Sequence, residues 1–165
     1  MVTLGDMQFI QENWAETIVH LGKLTQDKTS FEELRSLAAE KLNKLYDFEG
    51  GLIFKPTYRR APKNFITTLE DSLAYFIGQE DCPGFALKPW QKITFTRQAW
   101  SEGDTGIIGG LYQFTDLYEV KTTVEYTMCC RYVTFSSEDL NDKQLKIIAH
   151  HSSLSVSDVL ANLSF

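Results

Sequence analysis

The sequence is poor in metal-binding side chains. Three histidines and three cysteines occur among its 165 residues. A catalytic zinc ion usually takes about three protein ligands and keeps one position open. His150 and His151 are neighbours in an extended run, so their side chains leave on opposite faces and cannot share one ion with His20. The same objection applies to Cys129 and Cys130. The sequence therefore predicts no three-histidine zinc site, and we expect neither a metal nor a cofactor.

The sequence also predicts no disulfides, no membrane spans and no targeting signal. An odd number of cysteines argues against a disulfide framework and suits a reducing compartment. No apolar run approaches the roughly 20 residues that span a bilayer. The first residues resemble neither a secretory signal nor a transit peptide. We expect a soluble protein without a membrane partner, in the cytoplasm, or in a plastid if a transit peptide has been removed.

Positive charge is scarce as well. The chain has 16 basic and 22 acidic residues, for a formal charge of -6. Proteins that bind nucleic acids usually present a basic surface to the phosphate backbone. No G-x-S-x-G elbow and no glycine-rich phosphate loop is present. Nucleic-acid binding, serine hydrolase chemistry and dinucleotide binding are therefore not predicted.

The composition does provide a core. Residues 1–165 have the length of one domain, since domains run to about 100 to 200 residues. The chain is 43% hydrophobic and 13% aromatic, which is far from the composition of a disordered chain. We expect a single domain, in which residues 155–165 are a tail or the stub of a linker.

Three helices are predicted in the first half. Apolar residues recur at steps of three and four from Asp6 to about Leu24, and again after residue 30 and after residue 67. The third helix is short, and Gly78 can end it in a left-handed cap. The predicted caps are Asp6 for the first helix, Ser30 with Glu33 for the second, and Thr67 with Glu70 for the third.

The second half alternates with a period of two, which is typical of strands. A short strand at residues 52–54 precedes the third helix, and longer extended runs begin at Trp90 and cover residues 106–115, 120–135 and 145–154. Gly109 and Gly110 lie where a sheet kinks or another backbone comes close. Helices followed by a meander of strands predict an α+β fold, in which the helices cover one face of a strongly bent antiparallel sheet. A cone with a pocket at its mouth is the expected shape.

The densest polar cluster is the segment His150–Ser153 in the last strand. With a period of two, His151 and Ser153 share one face, and the other two residues share the opposite one. Ala149 and Ile147 continue the face of His151 with small or apolar groups, as expected of a pocket floor. A hydrogen-bonded strand edge explains the cluster equally simply, so the pattern alone leaves its function open.

Five short segments together resemble one enzyme family. In chain order they read LIFKPT, LAYFIG, GFALKPW, VEYT and HHSSL, starting at Leu52, Leu73, Gly84, Val124 and His150. They resemble the iota-class carbonic anhydrases of algae and bacteria, and the match runs from about Leu45 to Leu154.

This resemblance implies both a fold and an activity. The implied fold is that of nuclear transport factor 2 and of the association domain of the calmodulin-dependent kinases, a cone in which a bent sheet wraps around a long helix. The implied activity is the reversible hydration of CO2 to bicarbonate and a proton. One branch of the family works without a metal, and the small number of histidines favours that branch. A homodimer paired through the sheet is also implied.

The resemblance assigns bicarbonate binding to Thr57, Tyr75 and one serine of the HHSS segment. We expect this serine to be Ser153, since it shares a face with His151. We expect His151 to take part as the side chain that can move a proton near neutral pH.

Two other functions remain open. The domain is alternatively a non-catalytic association or small-ligand-binding module, because this fold hosts many functions. A metal-dependent carbonic anhydrase is the other alternative. It requires carboxylates beside His151, and Glu125 is the nearest candidate by strand parity.

Overall fold

The computed structural model describes residues 1–57, 64–134 and 143–154. Its helices are α1 (Leu4–Gln26), α2 (Phe31–Leu45) and α3 (Leu69–Phe76), and a single 3-10 turn covers Phe85–Leu87. The second half of the chain is almost entirely strand. The predicted tail at residues 155–165 and most of the predicted turn at residues 136–143 lie outside the described residues. No helix in the described ranges is long and apolar enough to cross a membrane.

Two of the three helices have an N-cap residue that differs from the predicted one by one to three positions. The N-cap of α1 is Thr3 rather than Asp6, because the two side chains form a reciprocal capping box. The Asp6 carboxylate accepts the backbone N–H of Thr3 at 2.8 Å, so Asp6 lies inside the first turn. Thr68 rather than Thr67 caps α3, with Asp71 as the donor. Ser30 caps α2 as predicted.

The described residues also form eight strands, which follow these helices or lie between them. They are β1 (Ile53–Lys55), β2 (Gly78–Gln79), β3 (Cys82–Pro83), β4 (Trp90–Phe95), β5 (Gln98–Glu102), β6 (Thr105–Asp116), β7 (Lys121–Thr134) and β8 (Lys143–Leu154). Strands β2 and β3 form a small hairpin after α3, where Gly78 adopts a positive φ of 74°. The predicted left-handed residue at the end of the third helix is therefore confirmed.

The main sheet has the order β1-β8-β7-β6-β4, with β5 also paired to β6. It is mixed rather than antiparallel throughout, because β1 runs parallel to β8. The extended run predicted from Trp90 forms two strands, β4 and β5, on the same edge of β6. Gly110 lies opposite the break between them, and a Cβ at Gly110 would collide with the carbonyl oxygen of Thr96. The predicted kink at the glycine pair lies here, and the sheet is strongly curved.

Helix α1 packs across the inner face of the sheet. Its residue Trp14 stacks on Tyr112 of β6, with ring centroids 5.0 Å apart. Helix α2 packs beside α1 and ends at Leu45, and its C-cap residue Tyr46 is fully buried. The outer face carries exposed apolar side chains such as Ile107, which is 40% exposed. The α+β class is confirmed, with helices on one face of a curved sheet.

Candidate active site

A cavity of about 270 Å³ opens between α1, α3, the 3-10 turn and the inner face of the sheet. Most of its wall is aromatic or aliphatic, from Trp14, Phe54, Phe85, Trp90, Phe114 and Val124. The remaining lining side chains carry polar groups, and they are Thr57, Tyr75, Lys88, Tyr112, Thr122, His150 and Ser152. Such a cavity suits a small, weakly polar ligand that is oriented by a few hydrogen bonds.

Thr57 and Ser152 form a hydroxyl pair on this wall. Strand β1 pairs in parallel with β8, with Lys55 opposite His151, so the residues just after β1 lie beside the end of β8. Thr57 Oγ1 donates to Ser152 Oγ at 3.0 Å. This bond leaves lone pairs on Thr57 as acceptors and the proton of Ser152 as a donor. The pair can therefore accept a hydrogen bond from a ligand at Thr57 and donate one to it from Ser152.

A β-bulge in β8 decides which residues of that strand face the cavity. Cys129 of β7 pairs with Ala149, but the next residue, Cys130, pairs with Ile147. Ile148 is therefore the extra residue of the bulge. Ile147 is fully buried, whereas Ala149 is only partly buried. The two residues do not share a face, contrary to the expectation from strict alternation.

The placement of His151 and Ser153 in the pocket is wrong for this reason. After the bulge the inward positions are His150, which is 2% exposed, and Ser152, which is 7% exposed. His151 is exposed on the outer face, where Ser153 pairs with Glu125. His150 and His151 do leave by opposite faces, as predicted. Glu125 and His151 both lie outside the cavity.

His150 lies at the centre of a buried hydrogen-bond chain. Trp14 Nε1 donates to Tyr46 Oη at 2.9 Å, and this hydroxyl lies 2.9 Å from His150 Nδ1. His150 Nε2 lies 2.7 Å from Tyr112 Oη. A buried hydroxyl proton needs an acceptor, so we assign the Tyr46 proton to the bond with Nδ1 and the imidazole proton to Nε2. The proton of Tyr112 is then available to the cavity.

Burial keeps this chain neutral. Desolvation and, as the smaller cause, the neighbouring His151 together lower the pKa of His150 to about 3. Desolvation also raises the pKa of Tyr46 and of Tyr112 well above the ordinary value. The imidazole is therefore a fixed, uncharged support for Tyr112 near neutral pH.

Tyr75 reaches the cavity from α3. It is half-buried, its ring stacks on Phe85 at 5.6 Å, and it meets the edge of Phe54 at the same distance. Gly84 allows the 3-10 turn to lie against the end of α3, because a Cβ there would approach the carbonyl oxygen of Tyr75 to 2.6 Å. Thr57 and Tyr75, both predicted from the motifs, therefore line the same cavity.

No motif in the sequence indicated the buried hydrogen-bond chain that supports the site. Trp14 lies in the apolar stripe of the first helix, and Tyr112 alternates with Phe114 on β6, so both patterns indicate inward positions. Tyr46 gave no signal, because its contact with His150 joins residues 104 positions apart. Among the described residues, no group of three His, Cys, Asp or Glu side chains is arranged to hold a metal ion.

Comparisons with known proteins point to one family. A family model described as metal-independent carbonic anhydrase matches residues 5–154. A protein of that description from Nostoc sp. (strain PCC 7120) is 31% identical over 159 residues, which cover 93% of this chain and 74% of the relative. A cyanobacterial iota-carbonic anhydrase, whose crystal structure was solved with bicarbonate, has a TM-score of 0.80 and 29% identity over 93% of each chain.

More distant structures show the fold alone. A chain described as a calcium/calmodulin-dependent protein kinase II association domain, from Xanthomonas campestris, has a TM-score of 0.50 and 23% identity over 72% of this chain and 75% of its own. A protein from Pseudomonas putida with a fold like nuclear transport factor 2 has a TM-score of 0.50 and 12% identity over 93% and 88%. The expected fold is therefore confirmed.

Proposed function

Since this chain belongs to the metal-independent carbonic anhydrase family and catalyses the reversible hydration of CO2 to bicarbonate, we propose that the reaction takes place in the aromatic cavity beside Thr57, Tyr75 and Ser152. The observation that carries this assignment is the hydroxyl pair of Thr57 and Ser152, 3.0 Å apart on an otherwise largely apolar wall. Ser152 takes the place that the sequence analysis gave to Ser153.

The aromatic wall binds CO2, and the hydroxyls position a water molecule against it. CO2 has no net charge and no strong hydrogen-bond donor, so apolar and aromatic surfaces suit it. Holding the water oxygen close to the carbon of CO2 turns a bimolecular step into an effectively unimolecular one. Tyr75 and Tyr112 supply further hydroxyls on the same wall. They stabilise the partial negative charge that develops on the oxygens of CO2.

The hydroxyl pair also provides a path for the proton without a charged base. The water oxygen forms a bond to the carbon while its proton passes to Thr57 Oγ1. The Thr57 proton passes to Ser152 Oγ along their hydrogen bond, and the Ser152 proton passes to an oxygen of CO2. Both hydroxyls are regenerated, and the product is carbonic acid, which ionises to bicarbonate and a proton. No charge has to enter the apolar cavity during this relay.

His150 takes no part in this relay as a base. Its pKa of about 3 makes the imidazole a weak base at neutral pH. It acts as a positioning residue, because it holds Tyr112 through a 2.7 Å hydrogen bond. The proton-transfer role that the sequence analysis gave to His151 has no support from the geometry, since that side chain lies on the outer face.

The experiment that tests the proposed function is CO2 hydration measured by stopped flow after exhaustive chelation, with metal content determined on the same sample. We expect full activity with well under one metal ion per chain. Loss of activity on chelation that is restored by zinc or manganese would contradict it. Inactivity of both the chelated and the untreated protein would favour the association module.

We propose that two copies of this domain, residues 1–165, pair through the outer face of the sheet. This face presents Ile53, Ile107 and Leu111, which are 60%, 40% and 38% exposed. Burying such a patch is the usual reason for a sheet-to-sheet dimer. Sedimentation at micromolar concentration should show a dimer, and Ile107→Lys should shift it to the 18.9 kDa monomer. A wild-type monomer would contradict this.

We propose a cytoplasmic or plastid location. All three cysteines are free in the structure, which suits a reducing compartment. Imaging of a fluorescent fusion of the natural protein tests this, and secretion would contradict it.

A further inference from the structure

Lys88 carries the only full charge among the described residues that line the cavity. It follows the 3-10 turn, and its side chain is 50% exposed, so the ammonium lies where the cavity meets solvent. The substrate CO2 is neutral, but the product bicarbonate is an anion. The chain as a whole has a formal charge of -6, so its overall field opposes the approach of an anion. A cation at the mouth therefore attracts bicarbonate and has little effect on CO2.

Two contacts hold the ammonium in place. Lys88 Nζ lies 4.4 Å from the centre of the Trp90 ring, a cation–π distance. It also lies 3.7 Å from Asp116 Oδ2. Trp90 is itself fixed, since its Nε1 donates to the carbonyl oxygen of Phe85 at 3.1 Å.

The ion pair with Asp116 is loose, and its geometry leaves Lys88 able to bind a second anion. A distance of 3.7 Å exceeds that of a direct hydrogen bond, so the three donors of the ammonium are not consumed by it. Asp116 is held from the other side, where its Oδ1 accepts the backbone N–H groups of Tyr118 and Val120 at 2.9 and 3.0 Å. The carboxylate therefore stays in place whether or not Lys88 is bound to it.

We propose that Lys88 is a bicarbonate-binding residue at the mouth of the cavity, and that Asp116 competes with bicarbonate for its ammonium. This inference rests on the proposed function. Carbonic acid that leaves the hydroxyl pair ionises at the mouth, where the ammonium of Lys88 binds the resulting bicarbonate. The anion is released when Asp116 Oδ2 pairs with the ammonium again. In the reverse direction, Lys88 draws bicarbonate towards an apolar cavity that offers no other described charge.

The equilibrium constant of the reaction limits what Lys88 can change. It fixes the ratio of kcat/KM for hydration to kcat/KM for dehydration, so no variant alters that ratio at a given pH. A group that binds ground-state bicarbonate changes the KM for bicarbonate and its inhibition of hydration. The useful readout is therefore the ratio of the KM for bicarbonate to the KM for CO2.

The test uses three variants of the full chain, with both directions assayed by stopped flow. Lys88→Met keeps a long apolar stem on Trp90 and removes the charge, and we expect the KM ratio to rise about three- to tenfold. Lys88→Arg keeps the charge, so its KM ratio should stay close to that of the wild type. Asp116→Asn keeps the Oδ1 acceptor and removes the competing charge, so the KM ratio should fall. Added salt should raise the wild-type ratio and leave that of Lys88→Met nearly constant.

An unchanged KM ratio in both Lys88→Met and Asp116→Asn would overturn the inference. If Lys88→Met loses its fold by circular dichroism, Asp116→Asn decides alone, because its expected effect has the opposite sign. Calorimetric titration of bicarbonate separates this inference from the proposed function. Binding that depends on Lys88 in a protein without turnover supports the inference and contradicts the function, whereas turnover with bicarbonate binding independent of Lys88 does the reverse.

Discussion

Thr57 Oγ1 lies 3.0 Å from Ser152 Oγ, although the two residues are 95 positions apart in the chain. Two features of the sheet produce this contact. The parallel pairing of β1 with β8 places the residues after β1 beside the HHSS segment. The bulge at Ile148 then turns Ser152, and not Ser153, towards Thr57.

Ser152→Ala should lower kcat/KM for CO2 hydration by roughly twofold to tenfold, or on the order of a hundredfold if the lost hydrogen bond is made to a charged group. The change removes a hydrogen bond worth about 0.5 to 1.5 kcal/mol, or up to roughly 3 to a charged group. Ser153→Ala is the matched control, since its side chain leaves by the outer face, and it should retain wild-type kinetics. A greater loss in Ser153→Ala than in Ser152→Ala would show that Ser153, and not Ser152, faces the cavity.

Thr57 and Ser152 should act as one unit. If protons pass along their hydrogen bond, Thr57→Ala and Ser152→Ala should each remove most of the rate enhancement that the pair provides. The kcat/KM of the double variant should then be little lower than that of either single variant. Thr57→Ser keeps the hydroxyl and is expected to retain activity within about threefold of wild type. Losses that multiply in the double variant would mean that the two hydroxyls act independently. The measurement is stopped-flow hydration across the four-member cycle.

Tyr75→Phe should lower kcat/KM on the order of tenfold while leaving thermal stability nearly unchanged. The ring contacts with Phe85 and Phe54 are kept, and only the hydroxyl on the cavity wall is removed. The comparison is between hydration kinetics and the melting temperature of the same sample. A large fall in melting temperature with unchanged kinetics would assign the hydroxyl a structural role instead.

The stability of the protein should fall as the pH drops below about 6.5. The folded-state pKa of His150 is lowered to about 3, so the native state favours the neutral imidazole, and the unfolded chain binds a proton more readily. The stabilisation from His150 is thus complete above its unfolded pKa and is lost as the pH falls towards about 3. Each pH unit below about 6.5 costs about 1.4 kcal/mol, or roughly 2 kcal/mol between pH 7 and pH 5.

Urea unfolding at pH 7, 6 and 5 measures this dependence. His151→Gln should keep the wild-type slope of the unfolding free energy against pH, because His151 is exposed on the outer face. His150→Gln should be less stable at pH 7, but its unfolding free energy should lack most of this slope. A slope of equal size in His150→Gln would show that another group titrates on folding.

Local patterns were enough to predict several features of this protein. The apolar stripes indicated the helices, and the alternation after Trp90 indicated long strands, because both patterns arise within a few residues of chain. The helix caps were shifted, since Thr3 and Thr68 compete with nearby polar residues of similar cap preference. The motifs containing Thr57 and Tyr75 led to the family, and both residues line the cavity.

The sequence by itself therefore determined the α+β class, the family and two of the four hydroxyls proposed for the site, those of Thr57 and Tyr75. Only the tertiary structure decided those of Tyr112 and Ser152. Alternation along a strand holds while each residue is paired in turn, but the bulge depends on how β7 pairs with β8, from Cys130 opposite Ile147 to Cys129 opposite Ala149. One extra residue reverses every later side chain of the strand. That reversal brings His150 and Ser152 inward and leaves His151 and Ser153 outside.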